Sequence, residues 1–160
     1  MNGRFVPAAL VVLTIAALAV WDALAKSMSA LPSEVAASLQ EKREACEPAH
    51  EEIKPGFITR QDVNGDHVDD YILKYGKFIC GVDQSFFCGT DGCLTEVFAS
   101  LPDGSFKQVL SENVREIRFA QIKGRRAMIL DLHGSYCGKV GAARCDKMLY
   151  WNGHEFALAH

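Results

Sequence analysis

Six cysteines constrain the fold of this chain more than any other feature, because each pair that oxidises fixes two distant points of the backbone. All six follow an apolar N-terminal segment: Cys46, Cys80, Cys88, Cys93, Cys137 and Cys145. An even count in an exported chain is typical of disulfides. Cys88 with Cys93 and Cys137 with Cys145 each enclose a short loop containing glycine, which lets the chain turn back. The pairing we favour adds Cys46 with Cys80, which would close the longest loop.

The same cysteines are poor candidates for metal ligands. No Cys-x-x-Cys pair occurs in the sequence, so the spacing typical of structural zinc sites is missing. A c-type haem is disfavoured because no Cys-x-x-Cys-His motif is present.

The first 25 residues have the pattern of an export signal. Arg4 supplies a positive start, residues 5–21 are apolar apart from Thr14, and Ala23-Leu24-Ala25 offers small residues at a cleavage site. We therefore expect a signal peptide over residues 1–25 and a periplasmic or secreted protein. The alternative is an uncleaved anchor, in which residues 5–21 would hold the chain in the inner membrane.

Beyond the signal, residues 26–32 are expected to form a linker and residues 33–160 a single domain. A helix is predicted to begin at Ser33 and to end before Pro48, with Val35, Leu39 and Cys46 on one face. From Phe57 onward, short β-rich runs alternate with turn residues. The predicted fold class is α+β, with an N-terminal helix packed on a mostly antiparallel sheet that disulfides staple.

Turn and strand signals predict two hairpins and two further strands within the sheet. Pro102-Asp103-Gly104 and Asn152-Gly153 each predict a hairpin. Residues 113–120 alternate as one strand, and the apolar run 127–132 is our candidate for a central strand covered on both faces. Between them, Lys123-Gly-Arg-Arg126 predicts a solvated turn, with an anion or lipid contact as the alternative.

The net charge of −3 excludes one class of partner. Nucleic-acid binders carry a basic excess that this chain lacks. We expect a protein or a component of the cell envelope as partner, and a membrane only if the N-terminal segment stays uncleaved.

The stretch from Asp62 to Asp70 carries the most specific chemical signal. Asp62, Asn64, Asp66 and Asp70 supply side-chain oxygens at loop positions one, three, five and nine, and Val68 supplies its carbonyl at position seven. Calcium prefers six to eight oxygen ligands in this arrangement. The loop is therefore predicted to bind one Ca²⁺ ion.

This motif, Asp-Val-Asn-Gly-Asp-x-x-x-Asp before a strand, resembles the calcium loops of FG-GAP and VCBS repeats. Two positions depart from calcium-loop patterns. His67 stands where the family has glycine, so a positive φ would cost about 1 kcal/mol, and Leu73 replaces the bidentate Glu of an EF-hand. We expect weak binding, on the order of 10⁻⁴ to 10⁻³ M. The alternative is an acidic turn that binds no ion.

The span 57–151 also resembles small exported proteins of Gram-negative bacteria, on Phe86-Phe-Cys-Gly, Asp131-Leu-His-Gly-Ser135 and Leu149-Tyr-Trp-Asn-Gly153. This second resemblance implies a compartment and no activity.

Asp131, His133 and Ser135 form the one cluster with nucleophile chemistry in the sequence. Because nucleophile and base usually come from separate elements, His133 and Ser135 are more simply explained as side chains that bond loop backbone. The sequence therefore favours a non-enzymatic interaction domain. The alternative is a periplasmic hydrolase or an inhibitor-type effector.

Overall fold

The computed structural model of the chain describes residues 31–82 and 86–158. The predicted signal peptide, the alternative anchor over residues 5–21 and most of the linker lie outside the described residues. Within the described ranges, no helix combines the length and apolar character needed to span a bilayer.

One helix opens the described part of the chain, and short strands follow. The helix α1 is Ser33–Cys46, and the strands are β1 Glu51–Ile53, β2 Ile58–Gln61, β3 Asp70–Lys74, β4 Phe78–Cys80, β5 Cys88–Gly89, β6 Gly92–Ser100, β7 Phe106–Val114, β8 Glu116–Ile122, β9 Arg125–Leu132, β10 Cys145–Trp151 and β11 Phe156–Ala157. Single 3-10 turns cover Tyr75–Lys77 and Gly134–Cys137. The predicted helix is confirmed, and so are the hairpins at Pro102-Asp103-Gly104 and Asn152-Gly153.

The strands form two larger antiparallel sheets and one small one. The first sheet has the order β2-β3-β6, with β5 and β7 also paired to β6. The second sheet has the order β11-β10-β9-β8, and β1 pairs with β4. Every pair in these sheets is antiparallel. The α+β class therefore holds, but the chain is richer in sheet than a helix packed on a single sheet.

The two larger sheets share one hydrophobic core. Ile72, Val97 and Leu110 of the first sheet belong to the same buried cluster as Met128 and Leu130 of the second. The chain crosses between the sheets at Arg115, which lies between β7 and β8. Residues 113–120 therefore do not form the single strand that their alternation predicts. Arg115 N–H donates to the carbonyl of Asp131 at 2.9 Å, which holds this crossing.

The helix covers the opposite face of the first sheet. Val35 and Leu39 are buried, and the Ser38 hydroxyl donates to Glu96 of β6 at 2.7 Å. Because successive residues of a strand face opposite sides, β3 and β6 are covered on both faces. Residues 127–132 were predicted to form a central strand covered on both faces. They lie in β9, which is internal in its sheet, but the predicted burial of both faces was wrong because Ile129 and Asp131 are only partly buried.

Three disulfides are present, with the favoured pairing. Cys46–Cys80 joins the end of α1 to β4, Cys88–Cys93 joins β5 to β6, and Cys137–Cys145 joins a 3-10 turn to β10. Disulfides persist in oxidising compartments, so these bridges indicate that the chain works outside the reducing cytosol.

Candidate functional site

The acidic loop between β2 and β3 is wound around its own side chains. Asp62 accepts hydrogen bonds from the backbone N–H groups of Gly65 and His67. Asn64 Oδ1 accepts from Asp66 N–H at 3.0 Å, and Asp66 Oδ1 accepts from Val68 N–H at 2.8 Å. These are Asx-type turns, which Asn and Asp favour because their short side chains reach the backbone two residues on.

Asp70 fastens this loop to the first sheet. Its carboxylate is fully buried and accepts from Val63 N–H at 2.6 Å and Asn64 N–H at 3.3 Å. On its other oxygen it accepts from Ser100 N–H at 2.7 Å and the Ser100 hydroxyl at 2.8 Å. A buried carboxylate is stable only when donors surround it, and here three of the donors are backbone groups.

Ser100 and Arg126 complete the loop, although no spacing in the sequence connects them to it. The Ser100 hydroxyl lies 2.7 Å from Asp66 Oδ2 and 2.8 Å from Asp70 Oδ1, so the two carboxylates share or compete for its single proton. Arg126 Nη2 lies 3.1 Å from Asp62 Oδ2 and donates to the Asp62 carbonyl at 2.8 Å. The predicted solvated turn at residues 123–126 therefore supplies an ion pair from β9.

His67 adopts the conformation that glycine would supply at this loop position. Its φ is 69°, and its side chain is 95% exposed. The positive φ expected at loop position six is present, and histidine carries its modest cost.

Hydrogen bonding and burial move the carboxylate pKa values in opposite directions. Burial raises the pKa of Asp62, but the backbone N–H groups and Arg126 outweigh it, so the net pKa lies below 3.8. Burial likewise raises the pKa of Asp66, but Ser100 and the Val68 N–H lower it below 3.8. For Asp70 burial dominates and raises the pKa.

The loop brings Asp62, Asn64, Asp66 and Asp70 together, but it does not assemble them as an open calcium cage. Each carboxylate oxygen already accepts a hydrogen bond, and the Arg126 guanidinium lies against Asp62. In the described residues, no three His, Cys, Asp or Glu side chains are placed to hold a metal ion. A Ca²⁺ ion would need Arg126 to leave Asp62, and its binding stays a prediction.

The lowered pKa of Asp66 predicts how the loop responds to acid. Because the ionised form is favoured in the folded state, Asp66 contributes stability above pH 3.8 that is lost as the pH falls through its folded pKa. We expect Asp66→Asn to destabilise the protein at neutral pH and to approach the native protein well below pH 3.8. Urea unfolding at both pH values measures this, with the exposed Asp69→Asn as control. A destabilisation that does not change with pH would contradict it.

His133 and Ser135 contact each other at the end of β9. His133 Nδ1 lies 2.7 Å from the Ser135 hydroxyl and accepts from Ser135 N–H, which caps the 3-10 turn Gly134–Cys137. Within residues 31–82 and 86–158, the buried Oδ1 atom of Asp131 has no hydrogen-bond partner, and so it makes no hydrogen bond to His133. The arrangement accounts for a turn cap, whereas a triad needs the carboxylate to orient the imidazole.

An aromatic cluster reaches from the core to the surface next to the Cys88–Cys93 bridge. Phe87 packs on Tyr75 and Phe78, with ring centroids 5.1 and 5.5 Å apart. Phe86 stacks edge-on against Phe87 at 4.8 Å and is 50% exposed. Through Phe87, the exposed Phe86 ring is therefore packed against the buried core.

These features define a small α+β domain of two packed antiparallel sheets, one covering helix and three disulfides. Comparisons with protein-family models, with curated proteins and with solved structures gave no significant match.

Proposed function

We propose that this chain is a periplasmic or secreted domain that acts without catalysis, by binding another protein or a component of the cell envelope. The observation that carries the proposal is Phe86, a half-exposed ring supported by Phe87. The disulfides support the exported setting.

The energetics of association favour such a presented ring. Binding energy concentrates in a few aromatic or Arg side chains, and a side chain already held in place loses little rotamer freedom on binding. Phe87 fixes Phe86, and the adjacent Cys88–Cys93 bridge limits the backbone that carries both rings. Phe86 is therefore expected to dominate the interface.

Replacement of Phe86 by alanine is expected to lower the free energy of unfolding by only about 1 kcal/mol, from the lost contact with Phe87, and to weaken partner binding about tenfold or more. The partner is first captured by light-induced crosslinking from a benzoylphenylalanine placed at position 86 of the exported chain. Titration of the captured partner with native protein and with Phe86→Ala then gives the two affinities.

Tyr136 provides a matched control, because it is also an exposed aromatic residue but lies on the turn after β9. Crosslinks at position 86 and not at position 136 support the proposal. Equal adducts at both positions, or equal affinity for native protein and Phe86→Ala, would show that the aromatic surface is not the interface.

We also propose one weakly bound Ca²⁺ ion at the acidic loop. The support is the alternation of side-chain oxygen donors from Asp62 to Asp70. Calorimetry is expected to give a dissociation constant on the order of 10⁻⁴ to 10⁻³ M, with Asp66→Ala abolishing the heat. Arg126→Gln is expected to tighten binding, since it frees Asp62 from its ion pair.

Asp69→Ala is the control for this experiment, because Asp69 lies in the loop but is not among the proposed ligands. Titrations without heat for both the native protein and Arg126→Gln would show that the loop binds no Ca²⁺ and is held by its hydrogen bonds alone.

The alternative function is a hydrolase or an inhibitor-type effector. The contact between His133 and Ser135 is the observation that favours a hydrolase. Labelling by a fluorophosphonate probe that disappears in both Ser135→Ala and His133→Ala would support it over the binding role.

A further inference from the structure

A groove of about 620 Å³ lies between α1 and the β6–β7 hairpin. Ala37 of the helix, Phe98 of β6 and Phe106 of β7 give it apolar walls. This volume falls in the range of small-molecule sites. Polar and charged residues also line the groove, and of these Glu96 is the buried one, with a side chain that is 1% exposed.

The two carboxylate oxygens of Glu96 have different surroundings. Oε2 accepts from the Ser38 hydroxyl at 2.7 Å and from the Tyr75 hydroxyl at 2.9 Å. Burial, together with the charge of Glu96, raises the pKa of Tyr75, so the phenol stays protonated as a donor. Oε1 is buried and has no hydrogen-bond partner among the described residues. A buried acceptor without a donor is unfavourable, and this one belongs to the lining of a groove.

Lys42 is the cation nearest to this oxygen, but it is committed elsewhere. Its Nζ lies 3.9 Å from Glu96 Oε1, beyond hydrogen-bond distance, and 2.7 Å from Glu41 Oε1. A lysine side chain is flexible and can swing toward solvent with Glu41. When Lys42 turns toward solvent, another hydrogen-bond donor can occupy the position beside Glu96 Oε1.

We propose that this groove binds a small organic cation in which a primary ammonium group is carried on an apolar chain. The ammonium would donate to Glu96 Oε1 in place of Lys42, and the chain would lie along Phe98 and Phe106. Because two hydroxyls already occupy Oε2, a single oxygen is left. One oxygen suits the point charge of an ammonium better than a guanidinium, which binds carboxylates through both oxygens. The proposal is independent of the aromatic surface at Phe86.

The test uses hexylammonium, hexylguanidinium and hexan-1-ol as probes in NMR titrations of the purified oxidised protein. Hexylammonium is expected to shift the resonances of Ala37, Phe98 and Phe106 and to bind more tightly than the other two. Glu96→Gln is expected to weaken hexylammonium about tenfold or more, as for loss of a charge-assisted hydrogen bond. Lys42→Met is expected to tighten it, because the competing ammonium is gone.

Glu112→Gln serves as the matched control, since it removes the same charge from the neighbouring strand β7 and is not among the residues that line the groove. If Glu96→Gln fails to fold, Lys42→Met still decides the question. Equal binding of the ammonium and the alcohol, unchanged affinity in Lys42→Met, or shifts that lie outside the groove would each overturn the proposal.

Discussion

Removal of the Cys46–Cys80 bridge by the double substitution Cys46→Ala and Cys80→Ala is expected to lower the free energy of unfolding by about 3 to 4 kcal/mol. The two cysteines are separated by 34 positions, the longest of the three disulfide loops. A crosslink restricts the unfolded chain more as its loop lengthens, so this bridge should contribute most. Both side chains are buried, and alanine avoids placing a hydroxyl there. Urea unfolding followed by circular dichroism measures the change.

The Cys88–Cys93 bridge supplies the comparison. Its cysteines are separated by 5 positions, for which the same chain-entropy relation gives about 2 kcal/mol. The pair Cys88→Ala and Cys93→Ala should therefore unfold at a higher urea concentration than the pair Cys46→Ala and Cys80→Ala. The reverse order would show that local strain or structure in the unfolded chain outweighs loop length.

The two short disulfides and the hairpins could be predicted because their causes are local. Cys88–Cys93 and Cys137–Cys145 close short loops with glycine, and Asn152-Gly153 suits a tight reversal. Ser33 and the apolar positions 35, 39 and 46 are enough to predict α1. In each case, the residues that cause the structure lie within a few positions of it.

Features that depend on how the sheets stack could not be predicted in the same way. Alternation identifies a half-buried strand but does not reveal what covers its second face. Alternation along the strand predicts that the charged Glu96 faces solvent, whereas α1 covers it and leaves it buried. Ser100 and Arg126 are 30 and 64 positions from their partners Asp70 and Asp62, and no sequence spacing connects them.

The acidic loop joins the two sheets at the end of their shared core. Asp70 holds Ser100 at the end of β6 in the first sheet, while Asp62 holds Arg126 of β9 in the second. Val63, which donates to Asp70, is itself buried in the core cluster. The loop thus has a structural role whether or not it takes up an ion, and the buried carboxylate at its end is the critical group.

Asp70→Ala is expected to lower the free energy of unfolding by about 4 kcal/mol, because each buried donor left without an acceptor costs about 1 to 3 kcal/mol and water can satisfy only some of them. Three backbone N–H groups, those of Val63, Asn64 and Ser100, would lose their acceptor together. Urea unfolding without added calcium measures this effect apart from any ion. The neighbouring, exposed Asp69→Ala should stay within about 0.5 kcal/mol of the native protein. If Asp70→Ala were as stable as Asp69→Ala, the loop would not hold the sheets together, and its carboxylates would have to be explained by a ligand.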